Sequence, residues 1–192
     1  AGVDVVDPDD VDLPDDTNYY RADLTDESAV EALFDDLDEE YDRLDYLLNV
    51  AGTWQGGSPI HETDVETFES VFDVNLRTMF LASKHAIPHL RETGGAIVSV
   101  SAKSSLEGGE GDGPYRAAKA GIRLLTQTIA EEQKGVVRAN AVMPKIIDTP
   151  ANRSMLPDSA HDEWPTPGEI AITMAALCSE ATSVTSGAAI PV

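Results

Sequence analysis

The sequence predicts an α/β fold built on a doubly wound parallel sheet, and three observations carry that reading. Short apolar runs alternate with segments whose apolar residues recur at helical spacing. Glycine, proline and clustered polar residues punctuate the joints between them. No internal repeat or low-complexity linker interrupts the alternation, so the 192 residues read as a single domain. Alternating strands and helices pack as a parallel sheet with helices on both faces, and such sheets bind ligands at the carboxyl ends of their strands.

Val3, Val5 and Val6 precede a turn at Asp7-Pro8-Asp9-Asp10 and read as a short strand, with a second at 19–22. Thr25 is the expected N-cap of a helix in which Val30, Leu33, Phe34 and Leu37 share a face; Asp26 and Glu27 suit its positive end. Residues 44–50 form a strand that runs into the glycine-rich loop 52–57. A long helix starts at Thr63 or Asp64, its inner side carried by Phe68, Val71, Phe72, Asn75, Leu76, Met79, Phe80 and Ile87, with Pro88 near its end. Residues 95–100 form a strand, and Pro114 opens a helix that Gly135 stops. The strand 136–143 ends at Pro144. Residues 150–166 have no clear period and read as a long loop with a short helix, before a helix at 167–178 and a last strand. Chemistry is therefore expected at the strand ends: Asp7, 49–57, 99–105 and 144–150.

Thirty-five acidic against 13 basic side chains give a net charge of −22, and residues 1–45 alone hold 18 acids and two bases. So acidic a chain repels phosphate backbones, which argues against nucleic acid as a partner. No apolar run approaches the ~20 residues of a membrane helix, so no membrane partner is expected. No signal-peptide pattern opens the chain, and its one cysteine, Cys178, suits a reducing compartment; a cytoplasmic location follows. Apolar residues recur through the acidic region, which makes it folded rather than a tail. A carboxylate-rich, lysine-poor surface is expected of a protein adapted to molar salt, where the screening length falls to ~3 Å. The chain opens at Ala1 and closes on the strand-like run 187–192, and both ends read as cut from a longer protein.

Tyr115 and Lys119 stand four residues apart at the start of a helix, on one face. A nearby ammonium stabilises a phenolate, and a tyrosine so tuned can exchange a proton with a carbonyl or alcohol oxygen. His85 and His89 share the same spacing, but Pro88 lies between them and no third ligand is evident, so they read as surface residues and no metal is expected.

The pair sits in an ordered set: Asn49-Val50-Ala51-Gly52 at one strand end, Asp73-Val74-Asn75-Leu76 in a helix, the strand 95–101, and Asn140-Ala141-Val142-Met143-Pro144 after the helix. This set resembles the short-chain dehydrogenase/reductase family over essentially the whole chain. The resemblance implies that residues 1–192 are one incomplete NAD(P)-binding domain of Rossmann type, lacking the first strand and the glycine-rich turn that holds the pyrophosphate. It implies hydride transfer between a nicotinamide cofactor and a small carbonyl compound, alcohol or pterin-like substrate. Tyr115 then matches the catalytic acid/base, Lys119 the lysine that tunes it and holds the ribose, and Asn75 the residue that organises a relay water. Asn49, Ala51 and Gly52 match an Asn-Asn-Ala-Gly motif with Val50 in second place, and Asp23 and Leu24 match a pair beside the adenine. Asp7 matches an acid that would bind the ribose 2′-hydroxyl and repel a 2′-phosphate, favouring NAD over NADP, although Asp9 could take that role. Pro144, Ile147 and Thr149 match a segment around the nicotinamide amide, with Lys145 where the family has glycine. The family's association through the helices at 64–90 and 114–133 implies a homo-oligomer, a dimer or tetramer.

The family's catalytic serine falls on Ala102. Ser101 is the neighbouring candidate, although alternation along a strand turns it the other way, and Ser104 and Ser105 follow in the loop. Ser101-Ala102-Lys103 with Leu106, the loop 51–57 and the segment 143–153 resemble quinoid dihydropteridine reductases, which work without that serine. On that resemblance Trp54 offers a stacking face, and Met155, Leu156 and Trp164 line a lid; a Trp54 that merely plugs the core is the other reading. The alternative function is a non-catalytic nucleotide-binding relative with a regulatory or interaction role.

Overall fold

The computed structural model describes residues 1–10, 13–14 and 16–192. Strand β1 (Gly2–Asp4) pairs in parallel with β2 (Tyr19–Arg21). Helix α1 (Glu27–Glu40) follows, then β3 (Tyr46–Asn49). Helix α2 (Val65–Phe72) runs through a π-helical turn, Asp73–Arg77, into α3 (Thr78–Thr93). Then come β4 (Ala96–Val100), α4 (Gly113–Glu132), β5 (Arg138–Met143), α5 (Pro150–Met155), α6 (Pro167–Cys178) and β6 (Ala189–Pro191).

The alternation of elements and the parallel pairing follow the sequence reading. The strands form a pair, β1–β2, and a four-stranded sheet in the order β3–β4–β5–β6. No strand among the described residues bonds to both β1 and β3. Between them lies a cleft of about 1130 Å³ lined by Val3, Leu33, Phe34, Tyr46, Leu48 and Met79. The cleft meets the strand-end segments only at Asn49, Val50 and Ala51.

Helices cover both faces of the larger sheet. On one face Val30 and Phe34 of α1, Met79, Leu81 and Leu90 of α3, and Ile122 and Ile129 of α4 pack over Ile97 and Ala139. On the other, Ile170, Met174 and Leu177 of α6 pack over Val98 and Val142. The central strands β4 and β5 are buried almost throughout, as a strand covered on both sides must be.

Local chemistry sets the boundaries. Gly94 and Gly135 take left-handed φ values of 70° and 77° where α3 and α4 end. Thr166 and Glu169 form a reciprocal capping box that opens α6. Arg138 closes the other end of α6, donating to the Leu177 carbonyl at 2.6 Å and the Cys178 carbonyl at 2.8 Å, where a cation also complements the helix dipole. Thr25 is not the cap of α1: Asp26 is, accepting the Ser28 N–H at 3.0 Å, while Thr25 bonds back to Asp23.

Candidate active site

The carboxyl ends of β3, β4 and β5 and the first turns of α4 bring Gly52, Asn75, Tyr115 and Lys119 together. Pro114 lies in the first turn of α4, where its missing N–H costs nothing, and this places Tyr115 and Lys119 one above the other. Lys119 is buried; its Nζ donates to the Val100 carbonyl at 3.0 Å and lies 5.8 Å from the Tyr115 ring centroid. Asn75, on the π-turn, is fully buried. Its Nδ2 donates to the carbonyls of Thr53 and Val71, both at 2.9 Å, and its Oδ1 accepts the Thr53 N–H at 3.2 Å. Gly52 comes so close that a Cβ there would sit 2.8 Å from Asn75 Oδ1 and 3.0 Å from Lys119 Nζ.

The electrostatics differ from the sequence expectation at one point. Burial lowers Lys119 from 10.5 to about 8. The same desolvation, with Asp112 nearby, pushes the Tyr115 phenol above its ordinary value. Lys119 does not lower Tyr115 here, because its ammonium is bonded to the Val100 carbonyl and faces the ring at nearly 6 Å.

Ala102 is buried and brings no hydroxyl. Ser101 is buried too, and its Oγ donates to the Lys119 backbone carbonyl at 2.7 Å, with Ser105 Oγ 3.4 Å away. Strand alternation had already turned Ser101 away from the Ala102 side. Asn49 Nδ2 reaches Ser83 Oγ at 3.2 Å and Ser99 Oγ at 3.1 Å, tying β3 to α3 and β4.

The remaining expected residues lie further along the same edge. Asp7 sits three residues beyond the end of β1, exposed, and pairs with Arg21 at 3.4 Å. Asp23 accepts the Thr25 N–H and hydroxyl, which lowers its pKa, and Leu24 packs at the cleft. Ala51 is exposed. Pro144 is buried and its carbonyl accepts the Lys103 N–H at 2.9 Å. Ile147 packs against the α6 face, and Thr149 caps α5 through Asn152. Trp54 is 47% exposed and so is no core plug. Met155 is exposed, whereas Trp164 is half-buried with its ring against His161 at 4.6 Å.

Sequence reasoning missed Arg116. It pairs with Asp112 and donates to the carbonyls of Ser104 (2.9 Å) and Glu107 (3.2 Å), fastening the loop before Tyr115 onto α4. Gly57 N–H bonds the Gly111 carbonyl at 2.7 Å, so the Trp54 loop is tied to that same loop. The four-residue spacing of Asp112 and Arg116 was the available signal.

The arrangement fits a nicotinamide dinucleotide at its ribose end. An ammonium carries three donors, and Lys119 spends one on Val100. The missing Cβ of Gly52 lets Asn75 Oδ1 and Lys119 Nζ stand against the backbone where a side chain would collide with them.

Sequence and structure comparisons place the chain among known proteins. The profile of a family described as Enoyl-(Acyl carrier protein) reductase matches residues 8–192. The chain is 35% identical over 184 residues to cis-4-hydroxycyclohexanecarboxylate dehydrogenase of Sinomonas cyclohexanicum, covering 91% of this chain and 74% of that one. It is 34% identical over 180 residues to meso-2,3-butanediol dehydrogenase of Serratia marcescens, covering 88% and 71%. Aldohexose dehydrogenase of Thermoplasma acidophilum superposes with a TM-score of 0.87 at 25% identity, over 99% of this chain and 80% of that one.

Proposed function

The chain belongs to the short-chain dehydrogenase/reductase family, and from that premise we propose that it is an NAD-linked oxidoreductase of small secondary alcohols and the corresponding ketones. Enzymes of this family use nicotinamide cofactors, and the preference for NAD is our inference from the acids Asp7, three residues past β1, and Asp23, two residues past β2. The observation that carries the reading is the placement of the Tyr115 phenol and the buried Lys119 ammonium on one face of α4, with the Lys119 ammonium packed against the Gly52 backbone.

A bound nicotinamide would supply the hydride chemistry at the carbinol carbon. In the reducing direction the Tyr115 phenol would give its proton to the carbonyl oxygen, leaving a phenolate; in the oxidising direction that phenolate would take the hydroxyl proton as the carbonyl forms, and the raised pKa suits the phenol to the acid role. Lys119 would hold the ribose hydroxyls with the donors that Val100 leaves free. Asn75 fixes the Thr53 backbone and with it the loop that carries Trp54. Ser101 positions Lys119 through its backbone carbonyl, so proton transfer rests on Tyr115 with no serine hydroxyl beside it. Trp54, Met155 and Trp164 bound the substrate side. An alcohol is favoured over a pterin because the relatives described above are named for hydroxycyclohexanecarboxylate and butanediol.

The test is turnover of cyclic and linear secondary alcohols with NAD or NADP. The expected result is NAD-preferring oxidation that falls at least ~100-fold in Tyr115→Phe. Unchanged turnover in that variant overturns the mechanism, equal use of NADP overturns the cofactor preference, and turnover confined to pterins overturns the substrate class.

A further inference from the structure

We infer that Glu27, Glu31 and His85 form a binding site for one first-row divalent cation of the zinc type, bridging α1 and α3. The two glutamates are one turn apart on α1 and share a face, while His85 comes from α3. One ligand atom from each lies within 4.8 Å of the other two, and among the described residues this is the one such group.

A second observation points into the same place. His85 Nε2 is enclosed and has no hydrogen-bond partner, although the ring as a whole is 17% exposed. An enclosed imidazole nitrogen without a partner is costly, and a metal ion is one of the few occupants that satisfies it. Glu27 Oε1 is 3.7 Å away, too far for a hydrogen bond. Phe34 stands against the ring at 5.9 Å and backs it from the α1 side.

A small contraction would close the geometry. Nitrogen and oxygen ligands ~2.0–2.2 Å from zinc lie roughly 3.4 Å apart around a tetrahedron. The three atoms must therefore draw together by an ångström or so, and both glutamates are exposed enough to turn. One imidazole and two carboxylates leave a fourth position for water, a donor set that suits zinc, nickel or manganese better than calcium. Lys84 opposes the ion: it is bonded to Glu27 and places a positive charge beside the site. No third ligand was evident in the sequence because Glu27 and Glu31 lie more than fifty residues before His85 and meet it only through the α1–α3 packing.

Calorimetric titration of the whole chain with Zn²⁺, with Co²⁺ absorption reporting coordination, tests this. One equivalent is expected to bind and to raise the unfolding temperature. Glu31→Gln and His85→Gln should each weaken binding roughly tenfold or more, Lys84→Gln should tighten it, and His89→Gln should leave it alone. Circular dichroism checks that His85→Gln is folded; Glu31→Gln, on the surface, tests the site independently. Binding within about twofold of the parent in Glu31→Gln, or several weak equivalents indifferent to these substitutions, overturns the site and assigns the ions to the acidic surface at large.

Discussion

Asn75 grips the Thr53 backbone from both sides, donating to its carbonyl at 2.9 Å and accepting its N–H at 3.2 Å. A buried amide used this way acts as a substitute strand neighbour for a residue that no strand pairs. It holds the start of the glycine-rich loop in place and packs directly against the Gly52 backbone.

Replacing Asn75 with Ala removes that clamp and strands the Thr53 groups. The expected cost is about 2–3 kcal/mol, read as a lowered denaturant midpoint with an unchanged slope. NADH affinity should fall with it, because the loop beside Lys119 loses its anchor. A midpoint within error of the parent would show the clamp to be incidental.

Lys119 makes stability depend on pH in a defined window. Its folded pKa is about 8 and its ordinary value 10.5, so below pH 8 the fold bears the full cost of a buried charge. Between pH 8 and 10.5 the unfolded chain binds more protons than the folded one, and stability rises by roughly 3 kcal/mol from this group. Tyr115 works against it at the top of the range: its raised pKa means the unfolded chain ionises first, so stability falls above pH 10. Unfolding curves from pH 7 to 10 should show the rise in the parent and a flat profile in Lys119→Met.

The net charge of −22 predicts that salt stabilises the fold. With 18 acids in the first 45 residues, self-repulsion is concentrated on β1, β2 and α1. The unfolding temperature should climb between ~0.1 M and ~2 M KCl as the screening length shortens. A temperature that stays constant or falls across that range would remove the case for salt adaptation.

Most of the candidate site was legible because its residues are held by local rules. Tyr115 and Lys119 meet through helix spacing, Pro114 fixes where that spacing starts, and Gly52 and Asn49 follow from ending a strand. What was not legible depends on partners distant in sequence. The direction of the Tyr115 pKa turns on whether Lys119 faces the ring or the Val100 carbonyl. The duty of Ser101 depends on α4 passing close enough to accept its hydroxyl. Asp7 was assigned to a strand end, but β1 stops at Asp4, whose carboxylate accepts the next N–H at 2.7 Å and turns the chain aside.

The π-helical turn at Asp73–Arg77 has a consequence for how this chain can change in length. There the Thr78 N–H reaches back five residues to the Asp73 carbonyl, so the helix holds one residue more than regular winding would. Removing any one of the five would let α2 and α3 fuse into an unbroken α-helix. The wide turn is what absorbs the extra residue, so Met79, Leu81 and Ala86 would keep their places in the core, while Asn75 would lose the turn that carries it to Thr53. A one-residue deletion elsewhere in α2 or α3 has no such turn to absorb it and would rotate all that follows by ~100°. The long helix should thus tolerate a change of length at this turn alone, and at the cost of the Asn75 clamp.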